Sequence, residues 1–473
     1  MEKHTKSKTE KLKLTFCGGV GAVTGANFLL EGAVQGHADK TLKLLVDCGL
    51  EQGTHEASEK NHRAFIYDPS QIDYLLVTHA HMDHIGKIPK LIKDGFEGVI
   101  YSTPETLELT RLMLADALKL TTQEAERNKV EALYDREDLN KVFTLWKTIP
   151  FHKDFNLAPG YDLYLKDAGH VLGSSMFELT YTAEGEDKKR KIVFTGDLGN
   201  SPTPLLRDTE EVTDADYLIM ESVYGDRNHE SRDVRLQKLE DVIEDNIARK
   251  GVLLIPVFSL EKTQELLYEI HKLFEKKQIP PVPVYLDSPL AIRLTEVYRK
   301  MSENFNEAAR AEFHKHDLFK FPTLHVTESA EASQGISAAP SPKIIMAGSG
   351  MSNGGRIQRH EAHYLTDPNN TIVFIGYQSV GTMGRTIQSG AKEIQLFGNN
   401  IQVRAHIETI DGYSSHKDSD HLLEFVSFTE KTVKKVFVVM GETKASLFLV
   451  QRIRDYLGLN AVHPEEGDTV VLE

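Results

Sequence analysis

Cysteine is nearly absent: the 473 residues hold two, Cys17 and Cys48. They make no CxxC pair, which excludes a zinc ribbon and a thioredoxin-like dithiol. A disulfide framework is excluded with them, in keeping with a reducing compartment. No apolar run reaches the roughly 18 residues that a transmembrane helix needs. Residues 1–13 are polar and charged and lack the apolar centre of a signal peptide. A cytoplasmic location, with no membrane partner, is the default expectation. Positive charge is also short: 55 Lys and Arg against 70 Asp and Glu leave a net charge of −15. That argues against an extended basic surface for nucleic acid. It does not exclude a nuclease, because bound metal ions can dominate the field inside a cleft.

What is present is a soluble globular chain, long enough for two or three domains. No internal repeat is evident. Leu12 to Phe16 alternates as a strand, the glycine-rich Gly18-Gly19-Val20-Gly21 follows, and Asn27 to Leu30 is a second strand. Leu42 to Val46 is a short apolar run ending at Asp47. Tyr74 to Val77 is another, and it feeds into Thr78-His79-Ala80-His81-Met82-Asp83-His84. Ile85, Ile88, Leu91 and Ile92 then fall at helical spacing. From about 215 to 380 strands and helices alternate, which predicts a parallel sheet covered on both faces. Within this stretch Ser329 to Pro342, rich in Ala, Ser and Pro, is predicted as a surface loop. After about 394, strands are predicted at Ile401 to Ile407 and Val436 to Val439, and a helix at Ser446 to Tyr456.

Four residues of the ligand type, His79, His81, Asp83 and His84, fall within six positions at the end of a buried strand. Imidazole and carboxylate suit zinc. In an irregular turn His79 and His81 can serve one ion while Asp83 and His84 serve a second. Two such ions roughly 3.5–4 Å apart can activate a water and hold both oxygens of a phosphodiester displacement. More ligands must come from elsewhere. His170, in Ala168-Gly169-His170-Val171-Leu172-Gly173, and Asp197, in Thr195-Gly196-Asp197, each follow a strand and sit beside glycine. Asp47, also at a strand end, can orient a ligand histidine.

The ordered set Asp47, HxHxDH, His170 and Asp197 resembles the metallo-β-lactamase superfamily. The resemblance implies that His79, His81 and His170 hold a first metal, that Asp83 and His84 hold a second, and that Asp197 bridges. The segment 206–393 resembles the β-CASP α/β domain inserted in RNA and DNA nucleases. Glu221-Ser222-Val223-Tyr224-Gly225 is similar to its first motif and Tyr413-Ser414-Ser415-His416 to its second. Leu286-Asp287-Ser288-Pro289-Leu290-Ala291 and Gly348-Ser349-Gly350-Met351-Ser352-Asn353-Gly354-Gly355 are family-like as well. The implied fold is α/β: a metallo-β-lactamase αββα sandwich from residues 1–205 and 394–473, with a β-CASP domain, 206–393, inserted. The resemblance covers nearly the whole chain. It extends to bacterial and archaeal relatives of the mRNA 3′-end cleavage factor endonuclease, without a KH domain.

The resemblance implies a metal-dependent ribonuclease that hydrolyses RNA phosphodiester bonds through metal-activated water. Asp83, His416 and Glu221 are the catalytic candidates. His416 is the general acid, a role that suits a histidine with a pKa near ~6.5, and Glu221 holds it. Ser415, Lys262, Arg356 and Arg385 are candidates for contact with substrate, although without the family each cation reads as a solvated surface charge. Zinc, one or two ions, is the implied cofactor and single-stranded RNA the implied partner; a homodimer is allowed. One position departs from the pattern. Where the third β-CASP motif carries Val-His-Gly-Glu, this chain has Val439-Met440-Gly441-Glu442. A thioether is a poor zinc donor beside imidazoles and carboxylates, so the second metal site is expected to be weak, with Met440 facing it and not bonding it. The alternative function is a weakly active or regulatory RNA-binding β-CASP protein. A non-nuclease hydrolase of the same fold is disfavoured, because an inserted domain would leave a narrow channel suited to a strand.

Overall fold

The computed structural model describes residues 11–53, 56–185, 188–379 and 381–473. The polar start read from residues 1–10 lies outside them. The chain divides into two compact units. The first is made of Met1–Ser201, Asp208–Asn228 and His416–Glu473, the second of Pro202–Arg207 and His229–Ser415.

Two seven-stranded sheets build the first unit. One runs in the order Thr469–Val471, Lys13–Gly18, Asn27–Val34, His37–Val46, Tyr74–Leu76, Val99–Ser102, Trp146–Thr148. The other runs Ala461–Val462, Lys435–Val438, Tyr217–Met220, Lys189–Phe194, Ser175–Thr182, Tyr161–Asp167, Phe155–Ala158. Alternation along each strand sorts side chains between layers. Leu44, Val46 and Leu76 enter a core shared with Phe177, Ile192, Ile219 and Phe437 of the other sheet. Leu45, Leu75 and Val77 face the opposite way, toward Ile85, Ile88, Leu91 and Leu114. Met176, Val193 and Leu218 likewise face Leu422, Phe425 and Leu449. Helices therefore cover both outer faces, giving an αββα sandwich. The 25-residue helix Pro104–Asn128, which the sequence reading did not resolve, lies on the first of those faces.

The second unit contains a six-stranded sheet ordered Leu324–Val326, Val284–Asp287, Lys343–Gly348, Val252–Val257, Thr371–Phe374, His406–Thr409. All its pairings are parallel, as its βα rhythm implies. The helix Ile357–Tyr364 packs on it through Ile357 and Tyr364.

Three details differ from the sequence reading. Tyr217–Met220 does not open the α/β unit; it lies between Lys189–Phe194 and Lys435–Val438 in the sandwich, parallel to both. Residues beyond 393 do not return at once to the sandwich: Asn399–Gln402 pairs with Glu393–Leu396, and His406–Thr409 extends the six-stranded sheet. The stretch 329–342 is not all loop, since Ser329 caps a short helix, Ala330–Gly335. No helix among the described residues is long and apolar enough to cross a membrane.

The C-terminal segment completes both sheets of the sandwich, through Thr469–Val471 and Lys435–Val438. Phe437 is fully buried there, its ring 5.2 Å from that of Phe16. Phe437→Ala is expected to lower the unfolding free energy of this unit by about 3–5 kcal/mol. Urea unfolding checks this, and a loss under about 1 kcal/mol would show that the segment is peripheral to the core.

Candidate metal centre

The cluster is built at the carboxyl ends of strands of the first unit, with Asp83 and His84 on the short helix Met82–Ile85 that follows one of them. Asp47 follows His37–Val46, His79 follows Tyr74–Leu76, and His170 follows Tyr161–Asp167. Asp197 follows Lys189–Phe194, and Glu221 follows Tyr217–Met220. Strand ends are where α/β sheets place their ligands. Two glycines let the turns close. A Cβ on Gly49 would fall 1.5 Å from the Asp83 carbonyl oxygen. Gly196 has φ +54°, and a Cβ there would meet Thr78 at 2.7 Å.

Four donor atoms converge. His81 Nδ1 lies 3.1 Å from His79 Nε2 and 3.2 Å from His170 Nε2. Asp197 Oδ2 is 3.4 Å from His79 Nε2 and 3.5 Å from His170 Nε2. Donors bonded at about 2.0–2.2 Å to one tetrahedral ion would stand about 3.3 Å apart. The other oxygen of Asp197, Oδ1, is 3.3 Å from His84 Nε2, with Asp83 Oδ2 3.9 Å from that nitrogen. Asp197 thus turns one oxygen to each group.

Hydrogen bonding fixes the tautomers. The buried Asp47, at φ 59°, accepts from the Thr78 amide and hydroxyl, both at 2.8 Å, and from His84 Nδ1 at 2.8 Å. A carboxylate here only accepts, so His84 carries its proton on Nδ1 and turns Nε2 to the cluster. The Thr78 hydroxyl gives its proton to Asp47, so it accepts from His79 Nδ1 at 3.0 Å, which leaves His79 Nε2 as a bare lone pair. Thr78 escaped the sequence reading; its only signal was its place next to His79.

Charge agrees with this arrangement. Burial, then repulsion from neighbouring histidines, holds His79 below its ordinary pKa and His81 and His170 well below it. Burial alone would raise the Asp197 pKa, but His84 and His79 bring it well below the carboxylate range. Burial opposes charge on His84 too, yet Asp197 and Asp47 hold its pKa well up. His84 Nε2 and Asp197 Oδ1 are both buried without a hydrogen-bond partner. Neutral His79, His81 and His170 with an ionised Asp197 fit a divalent cation, and a second ion beside Asp197 would take the place of the Nε2 proton that His84 otherwise carries.

His416 stands beside this group. Its Nδ1 lies 3.1 Å from Glu221 Oε1 and 3.9 Å from Asp197 Oδ2, and its ring centroid is 4.6 Å from that of His170. Glu221 is fully buried and also accepts from the Leu198 amide at 2.6 Å. Burial pushes the His416 pKa down, but the Glu221 carboxylate outweighs it and the group rises to about 9.

Met440, at φ 46°, lines a small cavity with Asp47, Thr78, His84 and Glu221. It is also part of the apolar core between the sheets, and a Cβ on Gly19 would come within 2.5 Å of its Sδ. Ser415, Lys262, Arg356 and Arg385 all belong to the second unit. Two of these cations are corrected by the structure. Lys262 is buried with its ammonium 2.7 Å from Glu265. Arg356 donates to Asp287 and to the carbonyls of Thr327 and Glu328, each at 2.7 Å. Both are internal ties and not open phosphate contacts, whereas Arg385 is exposed.

Comparison with known proteins follows the same division. Residues 37–202 match the metallo-β-lactamase superfamily domain, 263–387 the β-CASP domain, and 400–464 the Zn-dependent metallo-hydrolase RNA specificity domain. The chain is 34% identical to ribonuclease TTHA0252 of Thermus thermophilus, over 91% of this chain and 94% of that one. It is 32% identical to transcription termination factor FttA of Methanosarcina mazei, over 94% of this chain and 69% of that one. A crystal structure of a protein of unknown function from Enterococcus faecalis shares the fold, with TM-score 0.55 at 13% identity over 98% of this chain and all of that one. On this likeness and this fold, the chain belongs to the β-CASP group of the metallo-β-lactamase superfamily.

Proposed function

We propose that the chain is a metal-dependent ribonuclease that hydrolyses phosphodiester bonds of single-stranded RNA, with zinc as its metal, in the cytoplasm. The observation that carries this reading is the cage of His79, His81, His170 and Asp197, continued through Asp197 to His84 and Asp83. The ribonuclease relative and the match to an RNA specificity domain support RNA as the substrate. When bound, divalent ions supply Lewis-acid polarisation of the scissile phosphate and acidify water.

The chain's own residues do the rest. His79, His81, His170 and Asp197 would hold the first ion, and Asp83 and His84 a second that shares Asp197. Asp47 and Thr78 keep the lone pairs of His84 and His79 turned inward. Glu221 takes the Nδ1 proton of His416 in a hydrogen bond and favours the imidazolium. A protonated histidine beside the cage can give the leaving oxygen its proton, which makes His416 the general acid. Arg385 is the remaining cation proposed for backbone phosphates; Ser415 is proposed to contact substrate next to His416.

Met440 favours a second reading, a regulatory RNA-binding protein with an impaired second site. Labelled single-stranded RNA separates the two. Cleavage should vanish when the protein is stripped of metal by a chelator and return with zinc. RNA binding without cleavage at full zinc loading would favour the regulatory reading.

His416→Ala is expected to lower the cleavage rate by about 10²–10⁴-fold and to leave the metal content unchanged. Parallel loss of metal and activity would make His416 a ligand instead. Met440→His is expected to raise the zinc retained per chain without slowing cleavage, read by metal analysis at matched zinc supply. An unchanged count would show that Met440 does not limit the second site.

A further inference from the structure

The second unit carries a donor group that the catalytic reading does not use. His271 and Glu275 stand one turn apart on the helix Lys262–Glu275, and His316 lies just past the helix Glu307–Phe313. Their ligand atoms all lie within 4.8 Å of one another.

His271 is only 5% exposed. Its ring stacks on Phe321, centroids 5.2 Å apart, and its Nδ1 is 3.0 Å from the Leu318 carbonyl oxygen. A carbonyl only accepts, so Nδ1 carries a proton, and Nε2 is the nitrogen left to face Glu275. The Glu275 Oε1 that faces it is 3.7 Å away, beyond hydrogen-bond reach. His316 Nε2 is shut off from solvent with no hydrogen-bond partner, 3.2 Å from Glu275 Oε1 and 3.6 Å from Glu312 Oε1.

We propose that His271, Glu275 and His316 form a divalent-cation site of the zinc type, separate from the catalytic cage. Three observations carry this. Glu275 Oε1 stands 3.2 Å from His316 Nε2 and 3.7 Å from His271 Nε2, either side of the roughly 3.3 Å spacing of donors around a tetrahedral zinc. The buried imidazole is fixed through its other nitrogen by a backbone carbonyl, the support that metal-binding histidines use. Two imidazoles with one carboxylate make a donor set that zinc accepts, with its fourth position open to water. The alternative, histidine–glutamate ion pairing near the surface, gains little in itself.

Lys272 competes for the same carboxylates. It pairs with Glu275 Oε2 at 3.0 Å and with Glu312. On Glu275 it takes Oε2, the oxygen turned away from the rings, but on Glu312 it takes Oε1, which removes Glu312 from the donor set. Lys272 therefore weakens the site without filling it. A bound ion would tie the end of one helix to the turn after another, so that binding adds to stability.

The test uses the full-length protein dialysed against micromolar zinc. Zinc per chain is measured for the unmodified protein, for His316→Ala and for Glu275→Gln. Both positions are part-exposed, so neither change empties the core. Each variant is expected to hold one zinc fewer per chain, to show a smaller zinc-induced rise in unfolding temperature, and to cleave RNA as before. Zinc content equal to that of the unmodified protein in both variants would overturn the proposal.

Discussion

A cation is the one partner that can satisfy the centre of the first unit. Three imidazole nitrogens and a carboxylate oxygen point at a common space, and burial with mutual repulsion keeps those rings from protonating to pair with one another. Unpaired buried lone pairs are costly. Much of the local design follows from holding them there. Strand ends bring the donors together, Gly196 and Gly49 let backbones approach where a side chain would not fit, and Asp47 takes a left-handed backbone to serve Thr78 and His84 at once. Strain of that kind persists where surrounding structure enforces it.

The residues that converge were legible because each lies in a short local pattern: a dense HxHxDH turn, or a glycine-flanked residue after an apolar run. Their order along the chain then carried the family resemblance. Division of the chain was less legible. Tyr217–Met220 is four apolar residues that would suit either sheet, and its place is decided by Lys435–Val438, more than two hundred residues away. Ile401 to Ile407 reads as one strand but is two, with partners at Glu393–Leu396 and Thr371–Phe374. Pairing partners this remote leave no trace in hydrophobic period alone. Arg356 was misread for a related reason. Its acid, Asp287, is 69 positions away in sequence. The partner of Lys262, three positions on at Glu265, was open to inspection.

Two features that argued against a nuclease take a physical form in the structure. A net charge of −15 includes carboxylates of the cage and the group beside it, Asp197 and Asp83, and of their supports, Asp47 and Glu221. Divalent ions there would reverse the local field that a phosphate meets. Met440 serves as core, packed over Gly19 between the sheets.

The account rests on an ion at the His79, His81, His170 and Asp197 cage. Crystals of the zinc-loaded protein, measured on both sides of the zinc absorption edge, locate such ions directly. The expected result is an anomalous peak bonded to all four side chains, with nitrogen distances of about 2.0–2.1 Å. A zinc-loaded crystal with no peak in the cage, and with the four side chains turned apart, would contradict it.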